Sequence, residues 1–133
     1  MSGKLESLRS DDWLEIARKD WNRIAIMLKA NDTEAASFFL QQSVEKYIKA
    51  YLLKQGWELR KIHELDALLD DVVRYAQELE TFRELCERVS GYYMVDRYPL
   101  FRTRELTCEE IEKDMAEARK LIQIMFTDES LGG

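Results

Sequence analysis

Three stretches of this 133-residue chain carry side chains whose type and spacing suit chemistry. The first is Gln42-Ser43-Val44-Glu45-Lys46, continuing to Lys49. At helical spacing Gln42, Glu45, Lys46 and Lys49 share one face, and Glu45 precedes Lys49 by four in the favourable orientation. That face is either an ordinary solvated surface with one intrahelical ion pair, or a polar seam turned toward a partner or a ligand groove. The second is His63, within Lys61-Ile62-His63-Glu64-Leu65 at the expected start of a helix. It serves either as a cap or packing residue, or as a general base if a groove brings it near a substrate hydroxyl. The third is the run from Tyr92 to Arg104. Its three arginines (Arg97, Arg102, Arg104) against Asp96 give a local charge of +2, and Tyr92, Tyr93, Tyr98 and Phe101 interleave with them. Guanidinium groups beside aromatic faces can hold phosphate and stack a base. The competing reading makes Tyr92, Tyr93 and Phe101 core residues and the arginines partners of acidic neighbours.

Residue counts exclude several other chemistries. A single histidine cannot build a two-histidine metal site, and no Glu-x-x-His pair is present for a di-iron bundle. Cys86 and Cys108 lack a neighbouring histidine in sequence, so no metal is expected. There is no G-x-G-x-x-G or Walker-type loop and no nucleophile elbow, and no cofactor is expected. The formal charge of −6 argues against a duplex-DNA binder, whose affinity comes largely from neutralising phosphate, while leaving room for a local basic patch. No apolar run approaches the roughly 20 residues that span a bilayer. The opening MSGKLESLRSDDW has no apolar segment of a secretory signal, and two cysteines do not make a disulfide scaffold, so the expected compartment is the cytoplasm.

The elements that must position these residues are helical. Pro99 is the sole proline, glycines are confined to positions 3, 56, 91, 132 and 133, and apolar residues recur at helical spacing. Trp13, Ile16, Ala17, Trp21, Ile24 and Leu28 form a first stripe after Ser10-Asp11-Asp12. Asn31-Asp32-Thr33 reads as a turn into a second helix, roughly Glu34 to Gln55, apolar over much of its circumference and stopped by Gly56. Leu65 to Leu79 marks a third. Thr81-Phe82-Arg83-Glu84 reads as a capping box opening a fourth, with Phe82, Leu85, Cys86, Val89 and Tyr93 as its stripe. Pro99 forces Tyr98 out of α geometry, so that Arg97 stands at a helix terminus. Thr107-Cys108-Glu109-Glu110 is a second box, opening a fifth helix with Ile111, Met115, Ala118, Ile122 and Met125 inward. The expected fold is all-α, an antiparallel up-and-down bundle of about five helices with a four-helix core. It forms one domain over 1–133, with its core at about 10–127.

The segment Ala36-Ser37-Phe38-Phe39-Leu40-Gln41-Gln42-Ser43-Val44-Glu45-Lys46-Tyr47-Ile48-Lys49-Ala50-Tyr51-Leu52 closely resembles the second helix of HEPN domains (higher eukaryotes and prokaryotes nucleotide-binding). An early Trp/Asp helix, His63-Glu64-Leu65, and Arg97-Tyr98-Pro99 ahead of a last helix rich in Ala and Glu extend the resemblance roughly from Trp13 to Phe126. It implies the small stand-alone bacterial or archaeal type, a helical bundle that commonly forms a homodimer and often works beside a minimal nucleotidyltransferase. Some such proteins are metal-independent ribonucleases, frequently toxins of toxin–antitoxin or defence systems. Their site pairs an arginine with a histidine about four to six positions later, across the dimer. Arg97 stands at the arginine position, whereas positions 101 to 103 are Phe101, Arg102 and Thr103, and the one histidine lies upstream.

The function expected on these grounds is a non-catalytic HEPN-type module binding nucleotide, RNA or a nucleotidyltransferase partner. Arg97 and Arg102 would meet phosphate, Tyr98 or Tyr93 would stack or hydrogen-bond, and Lys46 and Lys49 would contribute from the Gln42–Lys49 face. The alternatives are a ribonuclease toxin with an atypical site built on His63 and Arg97, and a purely structural homodimeric subunit.

Overall fold

A computed structural model describes residues 9–97 and 106–132, and for 93–97 the backbone alone. Five α-helices follow one another, α1 (Ser10–Lys29), α2 (Thr33–Lys54), α3 (Leu65–Val72), α4 (Arg83–Arg97) and α5 (Cys108–Met125), with a 3-10 stretch at Gln77–Phe82 before α4. No strand occurs among the described residues. The fold is all-α, and no helix is long and apolar enough to cross a membrane, among the described residues.

The turn between α1 and α2 is tight because Asn31 takes the left-handed conformation, at φ 59°, that asparagine tolerates. Asp32 then caps α2, its carboxylate accepting from the Ala35 amide at 3.0 Å. The two helices therefore run antiparallel. The Ser10 hydroxyl donates to the Ala50 carbonyl at 2.7 Å near one end, and the Ser43 hydroxyl to the Ala17 carbonyl at 2.8 Å further along. Gly56, at φ 90°, turns the chain out of α2, and residues 57–64 return along it. Short α3 thus runs parallel to α2: His63 lies beside Gln41 and Glu45, and Asp71 accepts from Trp57 just past the end of α2. Helix α4 comes back antiparallel to α3, with Arg83 on Asp70 and Asp66 and Ser90 on Leu65 and Asp66. Helix α5 runs with α2, Cys108 near Asn31 and Phe126 packing on Tyr47 and Tyr51. The four long helices alternate direction, with α3 inserted as an extra short segment.

Helix α2 packs against every other helix. Its apolar residues Ala36, Leu40, Val44, Tyr47, Ile48 and Leu52 are all essentially inaccessible, and so are Gln41, Ser43, Glu45 and Lys49. The face carrying Glu45 and Lys49 is therefore not a solvated surface; it is turned into the protein.

Two boundaries and one apolar stripe differ from the sequence expectation. Helix α3 stops at Val72 rather than running to Leu79, and Leu79 and Phe82 reach the core from the 3-10 stretch instead. Thr81 lies inside that stretch and not at an N-cap. The entry to α4 is held by Arg83, whose guanidinium binds Glu80 at 2.8 Å, Asp70 at 2.6 Å and the Asp66 carbonyl at 2.8 Å. On α1, Ile16 is 44% exposed while Leu14 and Asp20 are buried, because the contact surface is set by α2 and the C-terminal segment rather than by α1 alone. The box at Thr107 forms as expected, with Thr107 accepting from the Glu110 amide at 3.1 Å and Glu110 reaching back to the Thr107 amide at 3.0 Å.

Candidate functional site

A polar ladder runs through the interior along one face of α2. Gln41, Glu45 and Lys49 succeed one another at four-residue spacing, which stacks them on adjacent turns. Lys49 Nζ donates to Glu45 Oε2 at 2.9 Å, and Gln41 Nε2 donates to Glu45 Oε1 at 3.0 Å. The Lys49 side chain is 1% exposed, with its ammonium 5.2 Å above the centre of the Trp13 ring. Glu45 also meets Nδ1 of His63 at 3.1 Å. An ionised carboxylate only accepts, so Nδ1 carries the hydrogen of that bond. The His63 ring is about half exposed, so the ladder is buried at Lys49 and reaches the surface at the imidazole.

The His63 backbone is held as well. Its carbonyl accepts from Gln41 Nε2 at 3.1 Å, its amide donates to Glu64 at 3.2 Å, and the Leu65 amide donates to the Ser90 hydroxyl of α4 at 2.5 Å. Next to the ladder, Lys46 Nζ meets buried Asp20 at 2.5 Å, and Arg23 binds the other Asp20 oxygen at 2.7 Å.

A second polar cluster joins α4 to α5. Buried Asp114 accepts from the Tyr92 hydroxyl and from Arg88, at 2.9 Å, and Arg88 extends to Glu117 at 3.1 Å. Burial and the Asp114 bond raise the Tyr92 phenol well above its ordinary value, keeping it a neutral donor. Asp114 and Glu117 raise Arg88 in turn. The groove over this cluster, about 340 Å³, is also lined by Glu110, Lys113 and Leu106. Its three carboxylates outweigh its two cations. Burial pushes the Cys86 thiol up to about 12, which disfavours its thiolate form. Among the described residues no group of His, Cys, Asp and Glu could hold a metal ion.

The residues marked in the sequence separate into three sets. His63, Lys49 and Glu45 come together. Lys46 lies near them, but its ammonium is held by Asp20 and its side chain is 19% exposed. The backbone of Tyr93 and Arg97 belongs to the last two turns of α4, and Arg97 is its final residue. Tyr98 and Arg102 lie outside the described residues. Sequence reasoning passed over Gln41, Asp20, Asp114 and Arg88. The four-residue step from Gln41 to Glu45 to Lys49 and the aspartate inside the α1 apolar stripe were the available signals.

A family model described as the HEPN domain covers residues 10–128. No curated protein matches the chain, and no solved structure does.

Proposed function

The chain belongs to the HEPN domain family, and on that footing we propose that it is a non-catalytic helical module that binds a nucleotide or single-stranded RNA at the C-terminal end of α4. The carrying observation is that α4 ends at Arg97, the first arginine of the basic and aromatic run within a chain of net charge −6. Arg97 and Arg102 supply phosphate contacts, and Tyr98 and Tyr93 supply stacking or hydrogen bonding. Lys49 has no part in ligand contact, since its ammonium is spent on buried Glu45, and Lys46 is tied to Asp20. The absence of a histidine between positions 98 and 107 favours binding over the arginine–histidine cleavage of the family's ribonucleases. The assembly we propose is a homodimer working beside a minimal nucleotidyltransferase, in a toxin–antitoxin-like or defence setting.

Fluorescence anisotropy with a short labelled single-stranded RNA, and separately with a labelled adenine nucleotide, tests the binding. Arg97→Ala and Arg102→Ala should each weaken RNA binding and lower the slope of log affinity against log salt by about one. Unchanged affinity with circular dichroism intact would remove both arginines from the site. Shortening of the RNA on a gel would overturn the non-catalytic half of the proposal.

A further inference from the structure

Helices α1 and α5 both pack on α2, run antiparallel to one another and leave a crevice between them. One stripe of α1 faces it, because Arg18, Trp21, Ala25 and Leu28 follow at three- and four-residue spacing. The chain's own last segment lies along the first part of this stripe. Glu129 accepts from the Arg18 guanidinium at 2.8 and 3.0 Å, and the Gly132 carbonyl accepts from Trp21 Nε1 at 2.8 Å. Leu131, between them, packs against the core. From Glu129 to Gly132 the segment advances by one turn of α1, toward the C-terminal end of that helix.

Beyond Trp21 the crevice is an open groove of about 450 Å³, with Ala25, Leu28 and Lys29 as its α1 wall. The α5 wall is a single stripe from Cys108 through Glu112 and Met115 to Arg119. At 1.5 Å per residue it is about 16 Å long, room for about five residues of extended chain. This stripe lies on the face of α5 opposite Glu110, Asp114 and Glu117, so the groove is separate from the one over Tyr92 and Arg88. Ala25, Leu28 and Met115 give it an apolar lining. The Arg119 guanidinium stands 5.6 Å from the centre of the Trp21 ring. Neither it nor the Lys29 ammonium meets a carboxylate among the described residues. Two cations against Glu112 make the groove net positive in a chain of net charge −6.

We propose that this groove binds an extended, acidic and aliphatic peptide segment of a partner protein, in the manner of the chain's own residues 129–132. The covered part of the α1 stripe already holds such a segment, through a guanidinium on a carboxylate and an indole N–H on a backbone carbonyl. The open part continues the same face with the same chemistry. Peptide carboxylates meet Arg119 and Lys29 as Glu129 meets Arg18, and aliphatic side chains settle on Ala25, Leu28 and Met115. Glu112 accepts from a peptide N–H. The proposal stands apart from the nucleotide- or RNA-binding reading and shares no residue with it.

The test pans a random heptapeptide phage library against the full chain. Enriched peptides are then synthesised and titrated against wild type, Lys29→Glu, Arg119→Glu and Ala25→Trp, with each fold checked by circular dichroism. Enriched sequences should carry Asp or Glu close to Leu, Ile or Met. Lys29→Glu and Arg119→Glu should each weaken binding by roughly tenfold, since each turns an attraction into a repulsion. Ala25→Trp, which fills the groove, should abolish binding; if it fails to fold, the two charge reversals and the thiol readout decide alone. Bound peptide should slow alkylation of Cys108 by iodoacetamide and leave buried Cys86 unchanged. Enrichment of peptides without acidic residues would overturn the proposal, as would affinity indifferent to both charge reversals or Cys108 alkylated at the same rate with peptide bound. Protection of Cys108 that rises with protein concentration alone, with a dimer seen by light scattering, would give the groove to a second copy instead. Protection by single-stranded RNA that Lys29→Glu removes would give it to nucleic acid, and either result overturns the peptide.

Discussion

Lys49 has two partners and almost no water: the Glu45 carboxylate at 2.9 Å and the Trp13 ring at 5.2 Å. Replacing it by methionine would leave the Glu45 charge enclosed with only Gln41 and His63 to satisfy it. Removing one member of a buried ion pair costs about 3–5 kcal/mol. Lys49→Met should therefore lower unfolding free energy by about that amount in urea titrations. The double variant Glu45→Gln, Lys49→Met should recover most of the loss, since no unpaired charge remains. Equal instability of the two would mean that the pair matters for its shape and not its charge. At Asp114 the contrast is milder. Tyr92→Phe removes one donor but leaves Arg88, so a loss of about 1–2 kcal/mol is expected in the same titration.

Helix ends show how local chemistry and packing divide the work. The box at Thr107 needs only residues within its own first turn, and Thr107→Ala should cost about 1 kcal/mol, measured as a shift in the urea midpoint at constant slope. Gly56 is likewise local. Its φ of 90° is one that an L side chain rarely adopts although the space around it is open, so Gly56→Ala should destabilise by about 1 kcal/mol through strain and not through a clash. The box read at Thr81 has the same residue pattern as the one at Thr107 but forms no cap. Leu79 and Phe82 are drawn into the core from a 3-10 turn, and Arg83 reaches back to Glu80, Asp70 and Asp66. A pattern of four residues cannot encode that competition, because the winning contacts come from α3.

Across the whole molecule, the segment after α5 ties helices that are far apart in the chain. Glu129 accepts from the Arg18 guanidinium at 2.8 and 3.0 Å and from the Tyr47 hydroxyl at 2.6 Å, and Trp21 Nε1 donates to the Gly132 carbonyl at 2.8 Å. The Arg18 hydrogen bond, with that of Tyr47, holds the Glu129 carboxyl below its usual value against the opposing effect of burial. A carboxyl depressed in the folded state stabilises fully above its unfolded pKa, about 4.3, and the contribution is lost as pH falls through the lower folded value. Thermal melts of wild type and Glu129→Gln should therefore differ most near neutral pH and converge only once pH has fallen through that lowered folded value. A gap that persists in acid would show that shape and not charge holds the segment.

The helix count, the turn at Asn31, the stop at Gly56, the box at Thr107 and the likeness carried by the Ala36–Leu52 segment were all legible in the sequence, because each depends on residues a few positions apart or on a periodicity. The place of Glu45 and Lys49 was not. Their four-residue spacing predicts an ion pair equally well on either side of a helix, and only the packing of α1, α3, α4 and α5 around α2 turned that face inward. The same applies to His63. Its sequence neighbours permit a cap, a packing residue or a base, and a carboxylate 18 positions upstream decided its orientation, once the return from Gly56 had laid residue 63 alongside α2. Local propensity acts through adjacent bonds and is written in order along the chain. Burial and partner choice are set by which surfaces meet in three dimensions, and that information exists only once the helices have packed.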